Sequence, residues 1–347
     1  MNYTIKKTKI NSENGKEEIK MVLNKSSKAV WMYQAAVGTS IITAASGDGS
    51  LSYEFGEYNA ECGKWNIPFA QNPTEPHWVY NSGTPTLINL ERTFPIWKHV
   101  FLPVTAQCYA WMQGKPINAD PAVTISTLMP GMTYPLTVRI EELEGTHPDN
   151  TQAVDCYCIG LTSNAERGKS FMVEAEFVYG DLEDINDNPN LTTAPLTPGL
   201  MTGTYNGNPI LEWSGVSIPG VEKAVWIESK EREVVSSDDG VKQVIHTYKT
   251  QPVKIMLWGG ITVDDIWDDY KARTTRNMTI QVKKFDDTSN ILATFTNCRA
   301  TSYERIGERY KGKYASVIKI EAEKVTYSSD WFTEGGVTFA DHWRAAI

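Results

Sequence analysis

The feature that most constrains this chain is the alternation of apolar and polar residues at a spacing of two. Leu136-Val138-Ile140, Phe171-Val173-Ala175-Phe177, Ile280-Val282 and Ile318-Ile320-Ala322 each set apolar side chains on one side of an extended strand. Glu174, Glu176, Lys319, Glu321 and Glu323 fall on the other side, which predicts half-buried antiparallel strands. The alternating stretches also match one another. Leu136–Gly145 (LTVRIEELEG) aligns with Met278–Asp287 (MTIQVKKFDD), Cys158–Ser163 with Cys298–Ser302, and Val173-Glu-Ala-Glu176 with Ile320-Glu-Ala-Glu323. Upstream, Gly56–Asn59, Trp65 and Ile67-Pro68 match Gly203–Asn206, Trp213 and Ile218-Pro219. Pro103-Val104 with Trp111 matches Pro252-Val253 with Trp258. All these pairs keep one order, which predicts that a single β unit occurs twice in tandem.

The fold class expected is therefore mainly β: two tandem β-sandwich or barrel-like domains, each with a short helix and long loops. Residues 181–199 (DLEDINDNPNLTTAPLTPG) lose the periodicity and gather Pro, Asn and Thr, as a linker does. The expected division is an N-terminal arm over 1–28, a first domain over 29–180, the linker, a second domain over 200–328 and a C-terminal arm over 329–347. Val221–Val235, Gln243–Thr250 and Val253–Trp258 read as further strands, the first two joined by a hairpin turn at Ser237–Gly240. Thr262–Arg273 is the best helix signal, with acids early, bases late and an apolar stripe of Ile266, Trp267 and Tyr270.

A chain of 347 residues can bury two ordinary cores, and its 41% apolar and 22% charged residues are those of a globular protein. No apolar run is long enough to span a membrane, so no membrane partner is expected. The N-terminal segment lacks the apolar core of an export signal, and synthesis in the cytoplasm follows as the expectation. The net charge of −9 argues against a surface that grips nucleic acid, although it suits one past which nucleic acid must slide. Five scattered cysteines (Cys62, Cys108, Cys156, Cys158 and Cys298) form neither a zinc pattern nor a disulfide framework, and read as buried thiols.

No pattern of catalytic or metal-binding residues emerges. His77, His99, His147, His246 and His342 are isolated, without HExxH or helical spacing. Asp264, Asp265, Asp268 and Asp269 read as solvated residues favouring a helix N-terminus. Asp184-Ile-Asn-Asp-Asn188 starts like a calcium loop, but Pro189 stands where glycine is required and no glutamate closes it. Ser46-Gly-Asp-Gly49 lacks the Lys-Ser/Thr of a phosphate loop, and no GxSxG occurs. The expectation is a non-enzyme without metal or cofactor.

Two features remain. Eleven tryptophans are many for this length, and Trp65, Trp78, Trp97, Trp111, Trp213, Trp331 and Trp343 stand near Pro, Gly or Asn in expected loops, where aromatic residues anchor interfaces; Trp65, Trp78, Trp97, Trp331 and Trp343 are the interface candidates. The glutamates of the repeated Val/Ile-Glu-Ala-Glu strand, Glu174, Glu176, Glu321 and Glu323, with Glu141 beside them, lie on an expected exposed sheet face. Duplicated half-exposed sheets, anchoring aromatics and terminal arms describe an assembly subunit. On these features the chain resembles the tail tube (major tail) proteins of long-tailed, siphovirus-like viruses, in the form whose tube domain is duplicated.

That resemblance implies a homo-oligomer, with three chains closing a ring of six domains and rings stacking into a virion tail. Other tail proteins would be its partners, and viral DNA would pass through the lumen without specific binding. The five glutamates would line an acidic channel. The alternative reading is a carbohydrate-binding β-sandwich protein of lectin or adhesin type, for which loop tryptophans supply sugar platforms.

Overall fold

The computed structural model describes residues 27–33, 53–54, 71, 74–78, 84–89, 95–103, 107–113, 135–142, 151–184, 205–236, 243–261, 264–287, 290–310 and 313–327. The first half of the chain supplies β1 (Ser27–Tyr33), β2 (Tyr53–Glu54), the hairpin strands β3 (Thr74–His77) and β4 (Thr86–Asn89), and β5 (Trp97–Phe101). A 3-10 turn (Gln107–Tyr109) leads into the single-turn helix α1 (Ala110–Gln113). Then come β6 (Leu136–Glu142), β7 (Thr151–Glu166), β8 (Met172–Val178) and β9 (Asp181–Asp184). The second half supplies β10 (Ile210–Trp213), β11 (Val216–Ser217), β12 (Val221–Ser236), β13 (Gln243–Thr250), β14 (Val253–Gly259) and α2 (Asp264–Ala272). It ends with β15 (Arg276–Lys283), β16 (Asn290–Tyr310), β17 (Lys313–Ala322) and β18 (Lys324–Tyr327). The fold is mainly β and every strand pair is antiparallel. The strands expected over 136–140, 171–177, 221–235, 243–250, 253–258, 280–282 and 318–322 are present, as is the helix. The Ser237–Gly240 turn lies outside the described residues.

The two halves share one pairing diagram. In the first, β6 lies between β1 and β7, β8 adds to β7, and β5 adds to β8. In the second, β15 lies between β10 and β16, β17 adds to β16, and β14 adds to β17. The registers correspond residue by residue. Trp31 faces Tyr53 and Val138, as Trp213 faces Val216 and Met278. Ala153 lies between Val138 and Leu182, as Phe295 lies between Met278 and Val325.

β7 and β16 share two irregularities at matching places, and β16 has a further one between Ile306 and Arg309. The first lies just before Cys156 in β7 and Cys298 in β16, at Asp155 (φ 54°) and Asn297 (φ 53°). The second lies between Cys158 and Gly160 and between Ala300 and Ser302. Bulges of this kind bend a strand and let its two ends belong to different layers. The N-terminal part of β7 accordingly pairs with β6 and β9, and its C-terminal part with β8. The N-terminal part of β16 pairs with β15 and β18, and its C-terminal part with β17.

The fold departs from the expected boundaries at two points. The segment expected to be a linker from residue 181 begins as β9, which continues the sheet against Thr151–Val154, with Leu182 packed on the core. The first strand starts at Ser27, inside the expected arm. The core lies between the layers and holds Trp31, Trp97, Trp111, Trp213 and Trp226, all at most 2% exposed. Trp213 also donates its Nε1–H to Asp269 at 2.8 Å, and Arg276 binds the same carboxylate through Nε and Nη2 at 3.1 and 3.2 Å. Asp269 is thus a buried anchor that ties α2 to β10 and β15, not the solvated residue expected. Burial opposes its charge, yet these bonds hold the carboxyl below its ordinary value.

Candidate functional site

The strands β5-β8-β7-β12-β14-β17-β16 run side by side and share one outer face. It spans both halves because β12 pairs with β7, from Lys223 opposite Glu166 to Ser229 opposite Gly160. One row of neighbours crosses it as Val100, Glu174, Thr162, Ile227, Lys254, Glu321 and Arg299. Another runs Met172, Asn164, Val225, Met256, Lys319 and Ser302. Alternation puts the intervening residues, among them Ala175, Leu161, Ala224, Ile255 and Ile320, into the core.

Of the glutamates expected on an exposed face, Glu174 and Glu176 are half-buried and Glu321 and Glu323 are exposed, and they are not alone. Lys98 bridges Glu176 at 2.5 Å and Glu174 at 3.0 Å, and these two bonds raise its pKa. Glu166 takes Lys169 at 2.8 Å and Lys223 at 3.4 Å, and its pKa is lowered, chiefly by the bond from Lys169. Glu321 stands in register between Lys254 and Arg299. Glu323 follows β17 and accepts a bond from Asn297 Nδ2 at 2.7 Å. The described face therefore alternates cations with anions.

The glutamates of the two halves do not occupy equivalent positions. The second bulge of each long strand puts Phe177 level with Ile320, so Glu176 corresponds to Lys319, Glu174 to Val317 and Glu321 to Val178. Glu141 belongs to β6, opposite Lys28 of β1, in a different part of the sheet.

Of the aromatics expected at interfaces, Trp78 is 63% exposed at the end of β3, beside exposed Leu87 and Ile88 of β4. Trp97 is 1% exposed and packs on Phe177 with ring centroids 5.0 Å apart, which makes it a core residue. Trp65, Trp331 and Trp343 lie outside the described residues, as do Trp343's neighbours in the expected C-terminal arm.

The junction of the two halves holds a buried polar group that the sequence did not single out. Trp226 donates Nε1–H to the Tyr327 hydroxyl at 3.1 Å, and Tyr327 donates to Glu228. The Tyr327 ring stacks on Tyr109 at 3.9 Å, and the Tyr109 hydroxyl shares a 2.6 Å bond with Ser163. Burial first, then the Glu228 charge, pushes the Tyr327 pKa up. Burial likewise raises that of Tyr109. These side chains come from both halves and fix β12 and β18 against β7 and the 3-10 turn. Signals existed only in the pattern of β12, where Glu228 and Lys230 interrupt an inward apolar series. Among the described residues, no cluster of three or more His, Cys, Asp or Glu is placed to hold a metal ion, and no helix is long and apolar enough to cross a membrane. The described cysteines Cys108, Cys156, Cys158 and Cys298 are buried free thiols.

No protein-family model matches this chain, and no curated protein matches it. Among solved structures it is similar to Hcp1 from Flavobacterium johnsoniae, at 13% identity and a TM-score of 0.25 over 35% of this chain and 94% of that one. It is also similar to the tube-terminating cap of the anti-feeding prophage, at 14% identity and a TM-score of 0.28, covering 35% and 87%. A third similar chain belongs to the extended sheath–tube complex of the extracellular contractile injection system PVC, at 15% identity and a TM-score of 0.27, covering 35% and 88%.

Proposed function

We propose that this chain is a structural subunit of a viral tail tube, built from two copies of one duplicated unit. Three chains close a ring of six units, and rings stack into a channel for the genome. The observation that carries this reading is the pairing of β12 with β7. It joins two halves of like connectivity edge to edge along one sheet, not face to face. A contact between like units that relates each to the next by rotation generates a ring when the rotation closes.

The face shared by both units becomes the lumen wall, with Glu174, Glu176, Glu321 and Glu323 on it. Glu141, on a separate part of the sheet, is the weakest member of that set. Such a wall need not be uniformly acidic to let DNA slide. Affinity for phosphate comes from Lys and Arg free to replace counterions. Lys98 and Lys223 are already engaged by carboxylates. Trp78 on the β3–β4 hairpin, with Trp65, Trp331 and Trp343, supplies contacts between subunits or rings. The site of action is then the virion tail, with other tail proteins at its ends.

Electron microscopy of the purified protein at raised concentration tests this directly. Rings or tubes about six units round are the expected result. A protein that stays monomeric at every concentration overturns the proposal.

A further inference from the structure

We infer that Cys158 and Lys230 form an oxidation-sensitive pair at the junction of the two halves, placed to join as a sulfur–nitrogen (sulfenamide) bridge when a small peroxide reaches them. The register brings them together. Ser229 of β12 pairs with Gly160 of β7, and Lys230 lies one place beyond Ser229. Toward β8, Gly160 pairs with Glu176 and Cys158 with Phe177, so the bulge drops Ile159 from the ladder and makes Cys158 the next place after Gly160. Cys158 and Lys230 are therefore level on neighbouring strands, where side chains of one face meet with Cβ atoms about 4.5–5.5 Å apart. Both take the inward face. Cys158 is 1% exposed and level with core Phe177, and Lys230 is 6% exposed between half-buried Ser229 and exposed Glu231.

The state of the amine is an independent observation. Although buried, Lys230 Nζ has no hydrogen-bond partner among the described residues. Burial lowers its pKa to about 8, and of the charges that oppose this shift Cys158 acts most and Glu228 next. Burial raises the Cys158 thiol, which donates to the Gly160 carbonyl oxygen at 3.4 Å. The Lys230 charge works against that rise, and Glu228 of β12 and Glu176 of β8 add to it. Cys108 of the 3-10 turn is a second buried thiol in range, raised by burial and then by Cys158.

Neither partner reacts alone, because the thiolate is the nucleophile and burial keeps Cys158 protonated. Above about pH 8 Lys230 is a neutral amine and takes the Cys158 proton. The thiolate attacks one oxygen of hydrogen peroxide: the S–O bond forms, the O–O bond breaks, and sulfur gives up two electrons. The departing hydroxide collects the proton from Lys230 and leaves as water. The Lys230 lone pair then attacks the sulfur of the sulfenic acid. The N–S bond forms, the S–O bond breaks, and the hydroxyl leaves with an amine proton as a second water. One thiol, one amine and one peroxide thus give one bridge and two waters. Two thiols of a reductant restore both side chains and leave as a disulfide. Peroxide is close to water in size, and the β12–β7 ladder ends here beside a bulge, where local opening is easiest. The bridge staples β7 of the first half to β12 of the second within one chain, so it stands or falls apart from the tube reading.

Peptide mapping of the full chain after treatment with hydrogen peroxide tests this. At pH 9 the wild type should yield the Cys158 and Lys230 peptides joined, lighter by two hydrogens, uncut by trypsin after Lys230 and separated by a thiol reductant. Bridging should be about tenfold slower at pH 7 than at pH 9 and nearly flat from pH 9 to pH 10, following the fraction of neutral amine. Lys230→Met removes the amine, and Lys230→Arg keeps the charge but does not deprotonate. In whichever of them folds, no bridge should form and Cys158 should oxidise at least about tenfold more slowly at pH 9. A rate that climbs about tenfold per pH unit up to pH 10 belongs to free thiolate and overturns the inference. So does oxidation of Cys158 at the wild-type rate in a variant, an unoxidised Cys158 in the wild type, or any other product, such as a sulfinic acid or a disulfide with Cys108.

Discussion

Lys230 offers a test of the junction between the halves by stability alone. It lies on β12 two residues after Glu228, is 6% exposed, and its Nζ has no hydrogen-bond partner among the described residues. Burial lowers its pKa from 10.5 to about 8, with Cys158 and Glu228 acting in the opposite direction. Because the folded value lies below the unfolded one, the unfolded chain holds a proton between about pH 8 and 10.5 that the folded chain has released. Stability from this group therefore rises with pH across that window and is lowest at neutral pH and below. At about 1.4 kcal/mol per pH unit, the buried charge costs about 3 kcal/mol at pH 7. Lys230→Met keeps the aliphatic stem and removes the charge. Glu228 loses some attraction in the variant, so a net gain of about 2 kcal/mol is the expectation at pH 7. Urea unfolding of both proteins at pH 7 and pH 10.5 measures it, and the gain should vanish at the higher pH. A variant less stable than wild type at pH 7, or a gain independent of pH, would refute the reasoning.

Asp269→Ala should lose about 2–4 kcal/mol at pH 7, since it leaves Trp213 Nε1 and Arg276 without their shared acceptor. The wild-type advantage should narrow as pH falls through the depressed folded pKa of Asp269, which urea titrations at pH 7 and pH 2.5 will read. Gly220→Ala should cost at least about 2 kcal/mol or prevent soluble expression: the residue has φ +84°, and a Cβ there would come within 2.4 Å of the Gly260 carbonyl oxygen. Thermal melts of Gly220→Ala and of Gly168→Ala, whose added Cβ meets nothing within 4 Å, separate the clash from the backbone preference. The double change Glu174→Lys and Glu176→Lys unpairs Lys98 and adds two cations to the proposed lumen wall. In virions it should leave assembly intact and slow genome release. Release at the wild-type rate would remove those residues from the lumen.

β6, β8, β12, β13, β14, β15, β17 and α2 were legible in the sequence because they are periodic and long enough to read, whereas the long strands β7 and β16 were not, β7 being buried on both faces over most of its length. The two halves have like pairing order, but the register that sequence similarity gave them differs from the pairing diagram, and the difference has a physical form. Sequence similarity set Leu136 against Met278, where the pairing diagram sets Val138 against Met278. It set Cys158 against Cys298 in place of Cys156, and Val173 against Ile320 in place of Phe177. Every one of these slips is an even number of residues. A strand pattern shifted by two or four keeps each side chain on its own face, so alternation cannot tell one such alignment from another. The upstream matches failed differently. Trp213 corresponds to Trp31 and not Trp65, and Pro103 follows β5 while Pro252 precedes β14.

That slip is also what made the glutamates of the two halves look equivalent, and a uniformly acidic wall look repeated. Alternation is broken only where a bulge inserts an extra residue, and there the register becomes unique. The bulges had a signal: Asp155-Cys156 and Asn297-Cys298 put an acid or its amide, the residues that best tolerate positive φ after glycine, directly before a buried thiol. Aligning the halves on those two dipeptides first, and on the alternating runs afterwards, sets Phe295 against Ala153 and Val325 against Leu182, the correspondence that the pairing diagram shows. Between two β halves of like pairing order, the aperiodic residues carry the register that the periodic ones cannot.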